Sequence, residues 1–234
     1  MKTTQLQSVN SKYFLRTKTQ YIGITMAIPK IQSYPLPFNQ DYPAAKVNWK
    51  IEKNRAALLI HDMQDYFINF YGDDSPLIQN VINNIAQMKA WCVENNIPVF
   101  YTAQPAEQKN EDRALLNDMW GPGLTAYPEQ AEIVKKLAPN SQDHLLTKWR
   151  YSAFYNSDLK KILKDTQKDQ LIICGVYAHI GVLQTAAEAF MNGIQPFVVG
   201  DSVADFSLKD HLFALQYVQR NLGVVENAER VIAS

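Results

Sequence analysis

The chain is short of cysteine, histidine and net charge, and each shortage excludes a class of function. Of its 234 residues only Cys92 and Cys174 are cysteines, and both lie within apolar periodic segments. They read as buried free thiols, not a disulfide, and a cytoplasmic setting is expected. The four histidines, His61, His144, His179 and His211, show none of the spacings by which metal ligands recur, so no metal or other cofactor is expected. Lys plus Arg equals Asp plus Glu at 23 each, which gives no field to steer nucleic acid or an anionic membrane. That near-zero net charge also favours self-association over mutual repulsion. No apolar run approaches the roughly 18 residues that span a bilayer. Met1–Thr25 carries Lys2, Lys12, Arg16 and Lys18 but no acid, and lacks the apolar centre of a secretory signal. With Met26 following at once, residues 1–25 read as a disordered tail or an extension from a misplaced start. The domain is then expected over residues 26–234.

What remains is rich in ordered signals. Hydrophobic residues make up 47% and charged residues 20%, enough for one well-filled core. Residues 27–54, with four prolines, read as an extended arm wrapping that core. Short apolar runs then alternate with amphipathic segments. The runs are Ala56–Ile60, Ile97–Tyr101, His144–Thr147, Gln170–Val176, Pro196–Val199 and Gly223–Val225. Helical spacing marks Ile78–Cys92, Glu129–Leu137, Ser157–Lys164 (Ser157 as N-cap), Ala178–Met191 and Ser207–Asn221. The alternation predicts βαβ units in one α/β domain, a three-layer sandwich with a mostly parallel, Rossmann-like sheet and helices on both faces. Gly175 and Gly181 do not have dinucleotide-fingerprint spacing, and Gly200-Asp201-Ser202 reads as turn chemistry after a strand.

Parallel sheets bind ligands beyond the carboxyl ends of their strands. Here those ends bring Asp62, Gln104, Lys148 and Tyr177 to one edge, an acid, an amide, a cation and a phenol. Singly, each has a plain structural use in a turn, a solvated loop or the core. Together they predict a polar pocket. The helix after Tyr177 aims its first N–H groups at that edge, and Gly181 lets a ligand approach the backbone.

The residues at these places resemble a known family. His61-Asp62-Met63-Gln64-Asp65-Tyr66-Phe67, Thr102-Ala103-Gln104-Pro105 and Met119-Trp120-Gly121-Pro122-Gly123 are similar to the first three motifs of isochorismatases. Leu146–Phe154, Gly175–Val182 and Ala204-Asp205-Phe206-Ser207 continue the series in order, so the resemblance runs from about Ile28 to the C-terminus. It implies a hydrolase that cleaves the enol-pyruvyl vinyl ether of isochorismate, in siderophore biosynthesis, without a nucleophile or a metal. Related amidases carry a nucleophilic cysteine where this chain has Gly181, and nicotinamidases carry metal ligands where it has Ala103-Gln104-Pro105.

The implied roles follow. Asp62 is the general acid, its pKa expected to be raised by apolar neighbours such as Tyr66 and Phe67, with Lys148 beside it. Arg113, Lys148, Gln104 and the helix start at Gly181 would receive the substrate carboxylates. For Arg113, a surface ion pair with Glu111 or Asp112 is an equal alternative. Trp120, Tyr151 and Tyr177 would wall the pocket. The resemblance also implies a homodimer and contact with an aryl carrier protein or synthetase of the pathway. No C-terminal carrier domain is expected before Ser234. The rival substrate is 2-amino-2-deoxyisochorismate, as in phenazine-pathway hydrolases. Lower alternatives are a cysteine-less amidase and a non-catalytic carrier-binding protein.

Overall fold

The computed structural model describes residues 28–234, so the expectation for residues 1–25 lies outside the described residues. The first strand shows why the chain folds as layers. Every residue of Ala56–His61 (β1) is buried, as a strand covered on both faces must be. Ala56, Leu58 and Ile60 enter one core, while Ala57 and Leu59 enter the other. Then follow α1 (Asp65–Ile68), α2 (Pro76–Glu94), β2 (Val99–Ala103), α3 (Asn110–Arg113) and α4 (Leu116–Trp120). The second half runs β3 (His144–Thr147), α5 (Leu159–Asp165), β4 (Gln170–Val176), α6 (Leu183–Met191), β5 (Gln195–Ala204), α7 (Leu208–Asn221), β6 (Val224–Glu226) and α8 (Ala228–Ile232).

The six strands form one sheet in the order β3-β2-β1-β4-β5-β6, and every neighbouring pair is parallel. Buried residues of α2 and α8 pack on one face, with the arm's Ile31 among them. Those of α5, α6 and α7 pack on the other. The strand order turns back between β1 and β4, which is where a crevice opens at the carboxyl edge. The arm wraps the first face as expected, with Ile31 N–H donating to the Phe70 carbonyl at 2.8 Å. Cys92 and Cys174 are buried free thiols, and among the described residues no helix is long and apolar enough to cross a membrane.

One expected helix is absent. Glu129–Leu137 forms two single 3-10 turns, Pro128–Gln130 and Lys135–Leu137. Between them, Asp65 N–H bonds the Glu132 carbonyl at 2.8 Å and Val134 N–H the Met63 carbonyl at 2.9 Å. The segment's backbone thus pairs with the loop after β1 instead of with itself, and burial of Ile133 and Val134 outweighs local propensity. The expected Ser157 cap is displaced by one position. The helix starts at Leu159, whose N–H donates to the Ser157 hydroxyl at 3.3 Å. Strand β5 continues five residues past the expected Val199, and this carries Asp205 and Phe206 up to the carboxyl edge. The helix after β4 opens with one wide turn, Ala178–Val182, in which Val182 N–H reaches the Tyr177 carbonyl at 3.3 Å.

Close packing of β1 on β4 demands a glycine. At Gly175, φ is +106° and a Cβ would fall 2.1 Å from the His61 carbonyl oxygen. At Gly193, φ is +75° with nothing within 4 Å. Gly193→Ala is therefore expected to cost about 1 kcal/mol, the left-handed backbone alone. Gly175→Ala is expected to cost more than about 3 kcal/mol, because strand separation is added to it. Urea unfolding of both variants checks this, and equal costs would remove the packing argument.

Candidate active site

Asp62 follows β1 with φ at +50°, a left-handed turn that aspartate tolerates better than most residues. The turn sets its carboxylate against two neighbouring strands. From β2, the Thr102 hydroxyl donates to Asp62 Oδ1 at 2.6 Å and also lies 3.1 Å from the Asp62 N–H. From the end of β3, Lys148 Nζ donates to Asp62 Oδ2 at 2.8 Å. Lys148 is held there because its own N–H continues the β2–β3 ladder to the Ala103 carbonyl at 2.8 Å. Both charged groups are buried.

The expected raised pKa of Asp62 is corrected by this geometry. Burial pushes the carboxyl up, while the Lys148 ammonium and the Thr102 hydroxyl pull it down, and the carboxyl lies below the usual carboxylate range. Asp62 is therefore an ionised carboxylate in contact with Lys148. His61 is fully buried and its Nδ1 lies 2.9 Å from the Val176 carbonyl, an acceptor, so that nitrogen carries the proton. Burial pushes its pKa down to about 4, leaving the imidazole neutral at pH 7.

Around the pair lies a cleft. Gln104, Tyr66 and Gly181 line it, as do Trp120 and Tyr151, joined by an indole N–H to phenol hydrogen bond of 3.0 Å. The Tyr177 ring also faces the cleft, but its hydroxyl donates to the Phe67 carbonyl at 2.9 Å, so it offers a wall, not a phenol. Arg113 lines the cleft too, and the surface ion-pair alternative fails. The guanidinium is buried, its Nε donates to the Gly121 carbonyl at 2.8 Å, and among the described residues no carboxylate pairs with it. A Cβ at Gly123 would fall 2.2 Å from Arg113 Nη2, so that glycine clears the space the guanidinium fills. The anion site expected at the helix start is largely taken. His179 N–H already donates to Asp205 Oδ2 at 2.6 Å, and the Ile180 and Val182 amides turn back to the Tyr177 carbonyl.

Several residues that shape the site had no role assigned from sequence. Thr102 and His61 face each other in the β1–β2 register at the polar ends of apolar strands, a weak signal that was present. Gln64 is fully buried and ties the edge together, accepting from Gln104 N–H at 2.7 Å and donating to the Gln104 and Ala131 carbonyls. Arg150 lines the cleft and donates to the Asp112 and Trp149 carbonyls. The buried Asp205 grips the His179 side chain as well, at 2.6 Å, and this fixes the turn beside which the Phe206 ring packs, tilted, on Tyr177. Among the described residues, no group of three or more His, Cys, Asp or Glu side chains is placed to hold a metal.

The family model described as Isochorismatase domain matches residues 56–230. The chain belongs to the isochorismatase family. It is 56% identical over 207 residues to Enterobactin synthase component B of Escherichia coli K12, covering 88% of this chain and 73% of that protein. It is 52% identical over 192 residues to the Isochorismatase of Bacillus subtilis, covering 82% of this chain and 62% of that one. With Phenazine biosynthesis protein PhzD of Pseudomonas fluorescens it shares 47% over 205 residues, 88% of this chain and 98% of PhzD. The fold matches a cysteine hydrolase from Pseudomonas syringae pv. phaseolicola with a TM-score of 0.73 at 20% identity, over 82% of this chain and 96% of that one. An isochorismatase family protein from Burkholderia thailandensis matches at 0.66 and 22%, over 82% and 98%.

The neutral buried His61 couples this isochorismatase-family site to acid stability. An unfolded chain protonates His61 near pH 6.5, whereas the folded protein does so only near 4. Stability from this group is full above 6.5 and is lost as pH falls towards 4, by about 3 kcal/mol. His61→Asn removes that loss. The stability gap between wild type and variant is expected to shrink by about that amount over this range in urea melts, and parallel profiles would refute the neutral imidazole.

Proposed function

We propose that the chain hydrolyses the enol-pyruvyl vinyl ether of isochorismate to pyruvate and 2,3-dihydro-2,3-dihydroxybenzoate, with the Asp62–Lys148 pair delivering the proton. The observation that carries the reading is the buried carboxylate and ammonium 2.8 Å apart at the floor of a cationic cleft. A vinyl ether resists nucleophiles but hydrolyses once its terminal methylene carbon is protonated. The resulting oxocarbenium ion takes up water, and the hemiketal collapses to a ketone and an alcohol. Such a reaction needs an acid and no covalent nucleophile.

Charge explains how a carboxyl that rests ionised can become that acid. Lys148, Arg113 and Arg150 bring three positive charges to the cleft against the single Asp62 carboxylate. Isochorismate is a dianion and matches the excess of two. Once its carboxylates engage the cations, the field that held Asp62 ionised is neutralised while its burial remains. Its pKa rises, and the proton moves from Lys148 to Asp62, beside the substrate. Arg113 is the strongest carboxylate anchor on this reading, being buried without an acid partner. Trp120, Tyr151, Tyr177 and Phe206 exclude bulk water from the cation that forms.

The 2-amino-2-deoxy analogue is the second reading, supported by the 47% identity with Phenazine biosynthesis protein PhzD. It differs at one ring substituent and shares every step. A siderophore pathway in the cytoplasm, a homodimer, and contact with an aryl carrier protein or synthetase belong to the first reading. It is supported by the relative named Enterobactin synthase component B and by the two free buried thiols.

Pyruvate release, read through coupled lactate dehydrogenase, tests both substrates side by side. Asp62→Asn is expected to lower kcat by about 10³-fold and Lys148→Met by about 10²-fold. Arg113→Met is expected to raise KM at least about tenfold with a smaller effect on kcat. A folded wild type that releases no pyruvate from either substrate refutes the reaction, and an unchanged KM removes Arg113 from the anchor role.

A further inference from the structure

Position 181 lines the same cleft as Asp62 and Lys148 and carries no side chain. Conformation does not require this glycine. It sits in the helical turn Ala178–Val182, a backbone that any residue adopts. Space requires it. A Cβ at 181 would fall 2.2 Å from His61 Cε1, 2.9 Å from Nε2 and 3.1 Å from Nδ1, and these are its three nearest neighbours. All three belong to one imidazole ring.

That ring is held by burial and by a hydrogen bond. It is wholly buried at the end of β1, between β2 and β4, with Nδ1 bonded to the Val176 carbonyl at 2.9 Å. Its Nε2 is buried and makes no well-formed hydrogen bond, although the Tyr151 backbone also lies against the ring. An apolar strand residue would fill most of this place without an unsatisfied nitrogen, so packing alone does not account for a histidine here.

We infer that His61 is the residue that keeps position 181 free of a side chain. It thereby commits the Asp62–Lys148 pair to protonating carbon, in place of serving a nucleophile at 181. The inference rests on the reading of that pair given above. If His61 were smaller, a thiol at 181 would stand in a cleft with an ammonium to favour the thiolate and a carboxylate to take its proton. The sulfur would then attack the carbonyl carbon of an activated ester. An S–C bond forms, the C–O bond to the phenolate breaks, and the phenolate leaves with the electron pair. Water hydrolyses the thioester, releases the acid and restores the thiol.

The test introduces Gly181→Ala and Gly181→Cys, each into wild type and into His61→Val, a β-branched residue suited to the strand. Gly181→Ala is expected to lower Tm by more than about 5 °C beside His61 and by less than about half of that beside Val. An equal penalty in both backgrounds, or failure of both to fold, overturns the steric claim. The His61→Val, Gly181→Cys protein is expected to release one equivalent of nitrophenolate from nitrophenyl acetate in a burst. Gly181→Cys alone and His61→Val alone give none, Cys92 and Cys174 being buried. A folded double variant without a burst, or a burst from Gly181→Cys alone, overturns the commitment. Neither readout uses isochorismate, so a wild type that releases no pyruvate refutes the vinyl-ether reading separately.

Discussion

Everything at the carboxyl edge of this sheet depends on one buried ion pair. Taking a carboxylate and an ammonium out of water costs several kcal/mol per ion, and their attraction offsets this only when the remaining polar atoms also find partners. Asp62 meets that condition because three adjacent strands end in register. β1 supplies the carboxylate, β2 the Thr102 hydroxyl, and β3 the lysine, whose backbone is pinned to Ala103. A shift of one residue in any strand would turn its contribution to the opposite face. The all-parallel sheet, buried on both sides, is what makes such a shift expensive. Register is therefore part of the chemistry, and the two apolar cores that fix it act at a distance on the proton.

The local irregularities cluster at the same place. Asp62 adopts a left-handed backbone, Gly175 leaves room for the His61 carbonyl, and Gly181 leaves room for the His61 ring. The first two carry a left-handed or positive-φ backbone, and all three lie within a few residues of the strand-order reversal. Strain and unsatisfied polarity of this kind persist only where surrounding packing over-determines them. Here the surroundings are the most buried strands in the molecule, β1 and β4, with every residue inside.

Much of this was legible in the residues. Short apolar runs located all six strands and period-3.6 spacing the long helices, because burial on both faces writes itself as such runs. The carboxyl-edge rule then placed Asp62, Gln104, Lys148 and Tyr177 together before any contact was known, and the structure brings all four to one cleft. What the residues did not disclose is what depends on partners distant in sequence. The Glu129–Leu137 segment has a helical pattern, yet its hydrogen bonds go to the loop after β1. Tyr177 spends its hydroxyl on Phe67, more than a hundred residues away. The direction of the Asp62 pKa shift was misjudged for the same reason. Burial is visible in apolar neighbours such as Tyr66 and Phe67, but the 2.8 Å contact with Lys148 that outweighs it is not.

That corrected pKa changes how the site should be understood. A carboxyl held protonated by a greasy pocket would be an acid at all times, ready to spend its proton on water or any passing base. A carboxylate locked to a lysine is not an acid until something removes the field that keeps it ionised. In this cleft the thing that can do so is a ligand carrying two negative charges, the number by which the lining cations exceed the carboxylate. Binding and acid strength then become one event. On the proposed mechanism, discrimination against neutral or singly charged vinyl ethers would come from the proton inventory as well as from contact, because a ligand of lesser charge would leave Asp62 ionised even when it fits. The same logic accounts for a cleft with no side chain at 181. A thiol there would place its own proton on the Asp62 carboxylate, and the His61 ring occupies the space in which it would stand.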